Sequence, residues 1–285
     1  MLTETKDTEW TTILKAKRHW WNIDFKEIWA YKDLIALFVR RDFVAYYKQT
    51  ILGPLWFLIQ PLFTTIVFTV IFGKIANIPT NGIPPMLFYM SGIVCWNYFA
   101  ECLNKTSNTF VSNAGIFGKV YFPRLVTPIS VVISNLLTFL IQFALFICFW
   151  FYFMSKGSDI HISPFVWFLP FLILQMACLG LGIGIIVSSM TTRYRDLTFA
   201  VGFGVQLWMY ATPVVYPLSE VHGKLRYIVM LNPMTPVIET FKSIFLGVGS
   251  INTQMLLYSW LQVIVILLIG MLMFSKVEKN FMDTV

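Results

Sequence analysis

Few side chains in this chain could do chemistry, and none sits at a spacing that chemistry needs. Cys95, Cys102, Cys148 and Cys178 fall in or beside apolar runs without CxxC spacing, which indicates neither a zinc site nor a disulfide framework. His19, His161 and His222 are scattered and suggest no ligand cluster. Gly115-x-x-Gly118-Lys119 resembles a phosphate-binding loop only at first sight. Such a loop needs four residues between its glycines, Ser or Thr after the Lys, a preceding buried strand and a soluble α/β domain around it. The sequence offers none of these, and we assign no catalytic or metal-binding residue. What remains is the stretch 115–123, Gly-Ile-Phe-Gly-Lys-Val-Tyr-Phe-Pro, an amphipathic loop between two long apolar runs. Ile116, Phe117, Val120, Tyr121 and Phe122 can form a compact apolar face there, flanked by Lys119 and Arg124. That face suits a docking site for a separate motor subunit, or a connector lying on lipid headgroups. A membrane body with a docking loop and no engine is most simply half of a transporter.

The elements that position this loop follow from composition. The chain is 57% hydrophobic and only 12% charged, against about 25% charged in soluble domains, and its mean hydropathy is +0.70. Charges leave six gaps, at 49–73, 75–100, 125–155, 160–192, 197–219 and 243–275. Each accommodates the ~20 apolar residues of a membrane-spanning helix. Open strands are excluded, because unpaired backbone groups in hydrocarbon each cost several kcal/mol. An all-α membrane protein with six spans is expected. With both termini inside, the inner segments hold 16 of the 21 Lys and Arg, as the positive-inside bias requires. The first fifty or so residues are charged before any span, unlike a cleavable signal peptide. The net charge of +7 therefore reads as topology and attraction to anionic lipid, not nucleic-acid binding.

Four segments are expected along the chain: a cytoplasmic extension (1–24), an amphipathic interface helix (25–50), the six-helix membrane domain (51–276) and a cytoplasmic tail (277–285). In the interface helix Ile28, Tyr31, Ile35, Phe38, Val39 and Tyr46 share one face, with Lys26, Asp33, Arg40, Arg41 and Lys48 opposite. Asp42 falls on the apolar stripe. Either it bonds Tyr46 or a nearby basic side chain, or it anchors the helix to the membrane domain or a substrate headgroup. Gln60-Pro61 should kink the first span. The second begins near Pro84-Pro85 and runs past Ala100, leaving Glu101 near the inner interface in a structural role. Gly180, Gly182 and Gly184 form a packing face on the fourth span. A short inner turn, Arg193-Tyr194-Arg195-Asp196, joins spans four and five.

Beyond the fifth span, Thr212-Pro213 bends that helix and Tyr216-Pro217 stops it. Two short apolar pieces follow, 224–231 and 236–246, separated by Asn232-Pro233-Met234-Thr235-Pro236. Glu239 suits a first turn and Gly247 a stop. At about 16 Å, an eleven-residue helix covers half a ~30 Å hydrocarbon core. Such a pair dips in from the outer face or caps it, a shape suited to a gate, or lies on the surface as a loop.

Taken together, Arg41-Asp42-Phe43, Tyr47-Lys48-Gln49-Thr50-Ile51-Leu52-Gly53-Pro54-Leu55-Trp56, Phe122-Pro123-Arg124, Arg193-Tyr194-Arg195-Asp196-Leu197, Thr212-Pro213-Val214 and Asn232-Pro233-Met234-Thr235-Pro236 resemble the motifs of polysaccharide-export ABC transporter permeases, in that family's order over residues 30–280 or so. The resemblance implies a homodimer of six-span permeases in the bacterial inner membrane with two copies of a separate ATPase, which binds ATP and Mg; this chain needs no cofactor of its own. It implies outward movement of a lipid-linked glycan, O-antigen first, with capsule or teichoic acid as alternatives. It makes Ile116, Phe117, Gly118, Lys119, Phe122 and Pro123 the coupling helix, joined by Arg193, Arg195 and Asp196. Arg40, Arg41 and Asp42 fall in the interface helix, and Asn232, Pro233, Met234, Thr235, Pro236 and Glu239 in the outer gate. Flat aromatic faces can stack on sugar C–H faces, and weak repeated contacts let a polymer slide. Trp56, Trp96, Tyr98, Phe203 and Tyr210 are the pore aromatics expected on that basis.

Rival classes fare worse. A membrane-embedded glycan-modifying enzyme needs clustered ionisable groups, and the spans are nearly free of them. A carrier or channel working alone typically shows midplane ion sites or repeats, and neither is visible. A drug- or lipid-exporting ABC permease is the alternative within the transporter class.

Overall fold

The apolar runs fold as helices throughout the computed structural model, which describes residues 25–48, 51–191, 194 and 196–280. The N-terminal extension, Gln49, Thr50, Thr192, Arg193, Arg195 and the last five residues of the tail lie outside the described residues.

Two helices, α1 (Phe25–Ala30) and α2 (Lys32–Lys48), stand where one interface helix was expected. The chain turns at Tyr31, whose N–H bonds the Ile28 carbonyl at 3.1 Å before Ile35 N–H takes up the Tyr31 carbonyl at 3.0 Å. The apolar stripe survives the turn but does not rest on lipid alone. Ile28 and Phe38 are buried, with Tyr31, Leu34 and Ile35 packed around them, because α2 lies along α6 (Val126–Ser155). Trp29 and Leu37 remain exposed.

Among the described residues, four helical rods are long and apolar enough to cross a membrane: Gly53–Ile75, Val126–Ser155, Pro164–Thr191 and Thr253–Val277. The first comprises a 3₁₀ turn, α3 (Trp56–Phe68) and a wide π-helical end. Inside α3, Pro61 has no N–H to give the preceding turn, and Thr64 and Thr65 hydroxyls donate to the Gln60 and Pro61 carbonyls at 3.0 and 2.7 Å. The expected second span is α4 (Pro85–Ser107), about 34 Å long at 1.5 Å per residue. It runs past Ala100 as read from the sequence, but Asn97, Glu101, Asn104 and Lys105 dilute its apolarity.

Two boundaries differ from the charge gaps. The fifth helix, α8 (Leu197–Tyr210), has 14 residues and stops well short of residue 219. A residue before proline is driven out of the α region, so Thr212-Pro213 ends the helix. The following turn buries Val214 and Val215, and a buried apolar turn carries no charge to betray it. The last gap is also divided. α10 (Thr235–Leu246) ends at Gly247 with φ +69°, and α11 (Thr253–Asn280) begins after Asn252, whose Oδ1 accepts the Met255 N–H at 3.2 Å.

At the centre, α7 (Leu169–Thr191) is pressed between α4 and α11. A Cβ added at Gly180 would lie 2.7 Å from the Cys102 Cβ, and one at Gly184 only 2.6 Å from the Thr106 Cβ. On the opposite side a Cβ added at Gly182 would lie 3.1 Å from Ile266 Cγ2 of α11, and one on Gly270 2.7 Å from the Gly182 carbonyl. The glycines do form a packing face, in fact two, and they bring three backbones into contact where dispersion must do the work of the hydrophobic effect.

Into this slab is set a hairpin of α9 (Gly223–Leu231) and α10. Every residue of α10 except Ser243 is buried, against α4, α7 and α11. Its C-terminal end is tied by Trp150 Nε1 donating to the Phe245 carbonyl at 2.7 Å and by Ser163 N–H donating to the Ile244 carbonyl at 2.8 Å. Its tip is tied to α11. Ser259 Oγ donates to the Pro233 carbonyl at 2.7 Å and Gln262 Nε2 to the Leu231 carbonyl at 3.0 Å, about 9 and 14 Å along α11 from its start.

Candidate functional site

The two stretches singled out in the sequence lie at opposite ends of α4. At its C-terminal end α5 (Thr109–Phe117) turns off through Asn108. The ring of Phe110 stacks on Phe274 of α11 at 4.5 Å, Phe117 meets Phe110 edge-on at 6.0 Å, and Phe122 tilts on Phe117 at 5.7 Å. Phe38 of α2 closes the row against Phe122 at 5.9 Å, and the Arg124 guanidinium covers Phe117 at 5.5 Å. Phe117 and Phe122 are each only 5% exposed, which corrects their expected place on an outward apolar face. Aromatic side chains bury the largest area available, so they brace the loop from inside. Outward stand Gly115, Gly118, Lys119, Val120 at 58% and Tyr121 at 63% exposure, with Ile116 and Pro123 half-buried. The loop is an aromatic-packed base carrying an exposed tip of Val120 and Tyr121 beside Lys119.

The Phe38–Phe122 contact also brings the basic end of α2 to this loop. Arg41 Nη2 pairs with Asp42 Oδ1 at 2.8 Å while its guanidinium caps Phe38 at 4.7 Å. Asp42 thus pairs with a neighbouring basic side chain, the contact that one of its two sequence readings describes. Arg40 is exposed. Asp196 is exposed at the start of α8 and makes no side-chain cap bond; Arg193 and Arg195 lie outside the described residues. Glu101 pairs with Lys105 at 2.9 Å, one turn on, as a structural role requires.

At the other end the Asn232–Thr235 turn is tied from three directions. Asn232 Nδ2 donates to Thr212 Oγ1 at 2.7 Å while its Oδ1 accepts the Met234 N–H at 3.0 Å. Thr235 Oγ1 donates to the Val229 carbonyl at 2.5 Å. Gln175 Nε2 donates to Ser259 Oγ, 2.6 Å, which in turn holds the Pro233 carbonyl. Met234, Thr235 and Pro236 are buried within the chain. The exposed apolar residues of the hairpin are Leu225, Tyr227, Ile228 and Leu231, all on α9.

Lys242 is the residue the sequence reading missed. It is 1% exposed, its Nζ donates to the Pro213 carbonyl at 2.6 Å, and it sits 3.8 Å over the Phe88 ring. Glu239, buried one turn earlier on α10, supplies the opposite charge. The signal available was an acid and a base three apart on a short apolar helix. One cation thus fastens α10, α4 and the turn after α8.

The expected pore aromatics divide. Trp96 and Tyr98 are buried, Trp96 edge-on to Phe99 at 5.2 Å and Trp208 at 6.1 Å, Tyr98 against Phe139 at 5.1 Å. They are core, because α4 is enclosed at that level by its neighbours. Trp56, Phe203 and Tyr210 are exposed. Among the described residues no three His, Cys, Asp or Glu converge to hold a metal ion.

A helical bundle crossing the membrane several times, with a braced loop at one end and an inserted hairpin at the other, is a membrane transport body. Residues 33–246 match the model of the ABC-2 type transporter family, and the chain belongs to that family. It is 26% identical over 251 residues to the O-antigen export system permease protein RfbA of Klebsiella pneumoniae, covering 88% of this chain and 94% of that one. A protein of the same name from Myxococcus xanthus is 28% identical over 77% of this chain and 83% of its own length. The capsule polysaccharide export inner-membrane protein CtrC of Neisseria meningitidis is 23% identical over 87% and 92%.

Proposed function

We propose that this chain is the membrane permease of an ABC exporter that carries a lipid-linked polysaccharide, O-antigen in the first instance, out across the bacterial inner membrane. The observation that carries the reading is near end-to-end similarity to proteins named for O-antigen export, 88% of this chain against 94% of the relative. Capsule polysaccharide is the second reading, favoured by the more distant CtrC similarity. In this reading α4 and α8 complete six spans with the four long rods, and both termini are cytoplasmic, as the Lys and Arg distribution favours. Two copies assemble with two copies of a separate ATP-binding subunit, which holds the ATP and Mg.

The α5 loop receives the motor's stroke through Lys119, Val120 and Tyr121, with Phe117 and Phe122 transmitting it inward and Arg193, Arg195 and Asp196 adjoining. The α9–α10 hairpin is re-entrant from the outer face. The depth of its tip, about 9–14 Å along α11, supports that reading. The Asn232–Pro236 turn and Glu239 position the gate, and its moving surface is α9. The test is direct. Expressed with its ATPase in a glycan-producing host that lacks its own exporter, the chain should restore surface polysaccharide and co-purify with a stimulated ATPase. Polysaccharide retained inside despite an assembled complex would overturn the reading.

A further inference from the structure

α4 is buried on almost every side, but one stripe of it is open, and that stripe is polar. Asn97, Glu101, Asn104 and the C-cap Asn108 recur at intervals of four, three and four residues, which places them on one helix face. Each is partly exposed, while Tyr98, Phe99, Cys102, Leu103, Thr106 and Ser107 around the same turns are buried. Flanking helices extend the polarity. Asn97 Nδ2 reaches Gln142 Oε1 of α6 at 3.4 Å, Lys105 Nζ bridges Glu101 and Asn135 Oδ1 of α6 at 2.9 Å each, and Thr198 Oγ1 of α8 donates to Asn108 Oδ1 at 3.2 Å. The Asn104 carboxamide makes no hydrogen bond among the described residues.

Length decides what can cover such a stripe. From Asn97 to Asn108 it runs about 16 Å along the helix, half of a ~30 Å hydrocarbon core. Headgroups at one surface do not reach that depth, and an unbonded carboxamide such as that of Asn104 would lose its bonds to water without replacement if it faced lipid tails. We propose that this stripe is the track along which the hydroxyls of the exported glycan pass, an inference that rests on the six-span, glycan-export reading above. A carboxamide offers both a donor and an acceptor, and that of Asn104 has both available to a hydroxyl, while Asn97 and Asn108 are already bonded to Gln142, Thr198 and the Asn104 carbonyl. Neighbouring positions lie about 5–6 Å apart, on the scale of one sugar ring. Glu101 and Lys105 neutralise each other, so the track holds no net charge that would trap a moving polymer.

The experiment uses the complex with its ATPase in glycan-producing cells. Asn104→Leu should lower surface glycan about tenfold, the equivalent of one lost polar contact, with membrane level and ATPase association unchanged, and Asn104→Gln should restore export. In a Cys148→Ala, Cys178→Ala chain, Asn104→Cys should react with a small water-soluble maleimide much faster than Leu140→Cys, which is exposed on the outer side of α6. It should be shielded when polymer is jammed in transit. Normal export by Asn104→Leu, or labelling of Asn104→Cys no faster than Leu140→Cys, overturns the track. A wild-type complex that exports no glycan overturns the proposed function itself, a distinguishable result.

Discussion

Single residues decide how tightly this bundle is tied. Lys242 is buried with its charge directed at the Pro213 carbonyl and the Phe88 ring. Lys242→Met keeps the volume but strands both that carbonyl and the Glu239 carboxyl, so it should cost about 3 kcal/mol. Thermal unfolding of the detergent-purified protein should show the loss, and Lys242→Met with Glu239→Gln should recover part of it. Gly184→Val should be worse than its size suggests, since even a Cβ would lie 2.6 Å from Thr106; overpacking of this kind costs about 1–3 kcal/mol. Gly204→Ala on α8, with nothing in the single chain within 4 Å of the added carbon, should instead raise the unfolding temperature of the isolated chain slightly, because Ala is the better helix former. The glycine face was legible because only close approach explains three small residues on one apolar helix. The roles of Trp96 and Tyr98 were not. Their burial depends on the helices that enclose α4, which its own sequence does not name, and both proved to be core.

At the scale of elements, charge gaps revealed where rods run better than where they stop. Runs 125–155 and 160–192 became helices close to those bounds. The 197–219 run ended at Tyr210, because its last third is an uncharged turn buried against the hairpin. The loop at 115–123 was found for its amphipathicity, yet that pattern could not assign sides. Phe117 and Phe122 went inward, and Val120 and the hydroxyl-bearing Tyr121 outward. This distinction is testable. Val120→Ser with Tyr121→Ser should weaken co-purification with the ATPase while leaving the unfolding temperature unchanged, since both side chains are exposed. Phe122→Ala should instead lower that temperature, by about 3–5 kcal/mol of lost packing, and loosen α2 through Phe38. Equal effects of the two variants on stability would remove the distinction between tip and brace.

For the whole molecule, the open face of α8 matters most. Its exposed residues include Phe199, Gly202, Phe203, Gly204, Leu207 and Tyr210, and only Val205 is buried. If a second copy covers this face, Gly202→Cys should crosslink to itself in membranes, and native mass measurement should give two chains per complex. The chain by itself should turn over no ATP, and titratable hydrolysis by the isolated polypeptide would refute the transporter assignment of roles. One feature of α4 bears on timing. A single helix of about 34 Å carries the α5 loop at its C-terminal end and, near its N-terminal end, both the Phe88 ring under Lys242 and Gly92, which lies so near Val214 that an added carbon would touch its backbone at 3.1 Å. If the loop takes a motor subunit's push, as proposed, this shared shaft should carry it to the hairpin in the same stroke, so that the two ends are clocked together, with no interval in which the loop has moved and the hairpin has yet to respond.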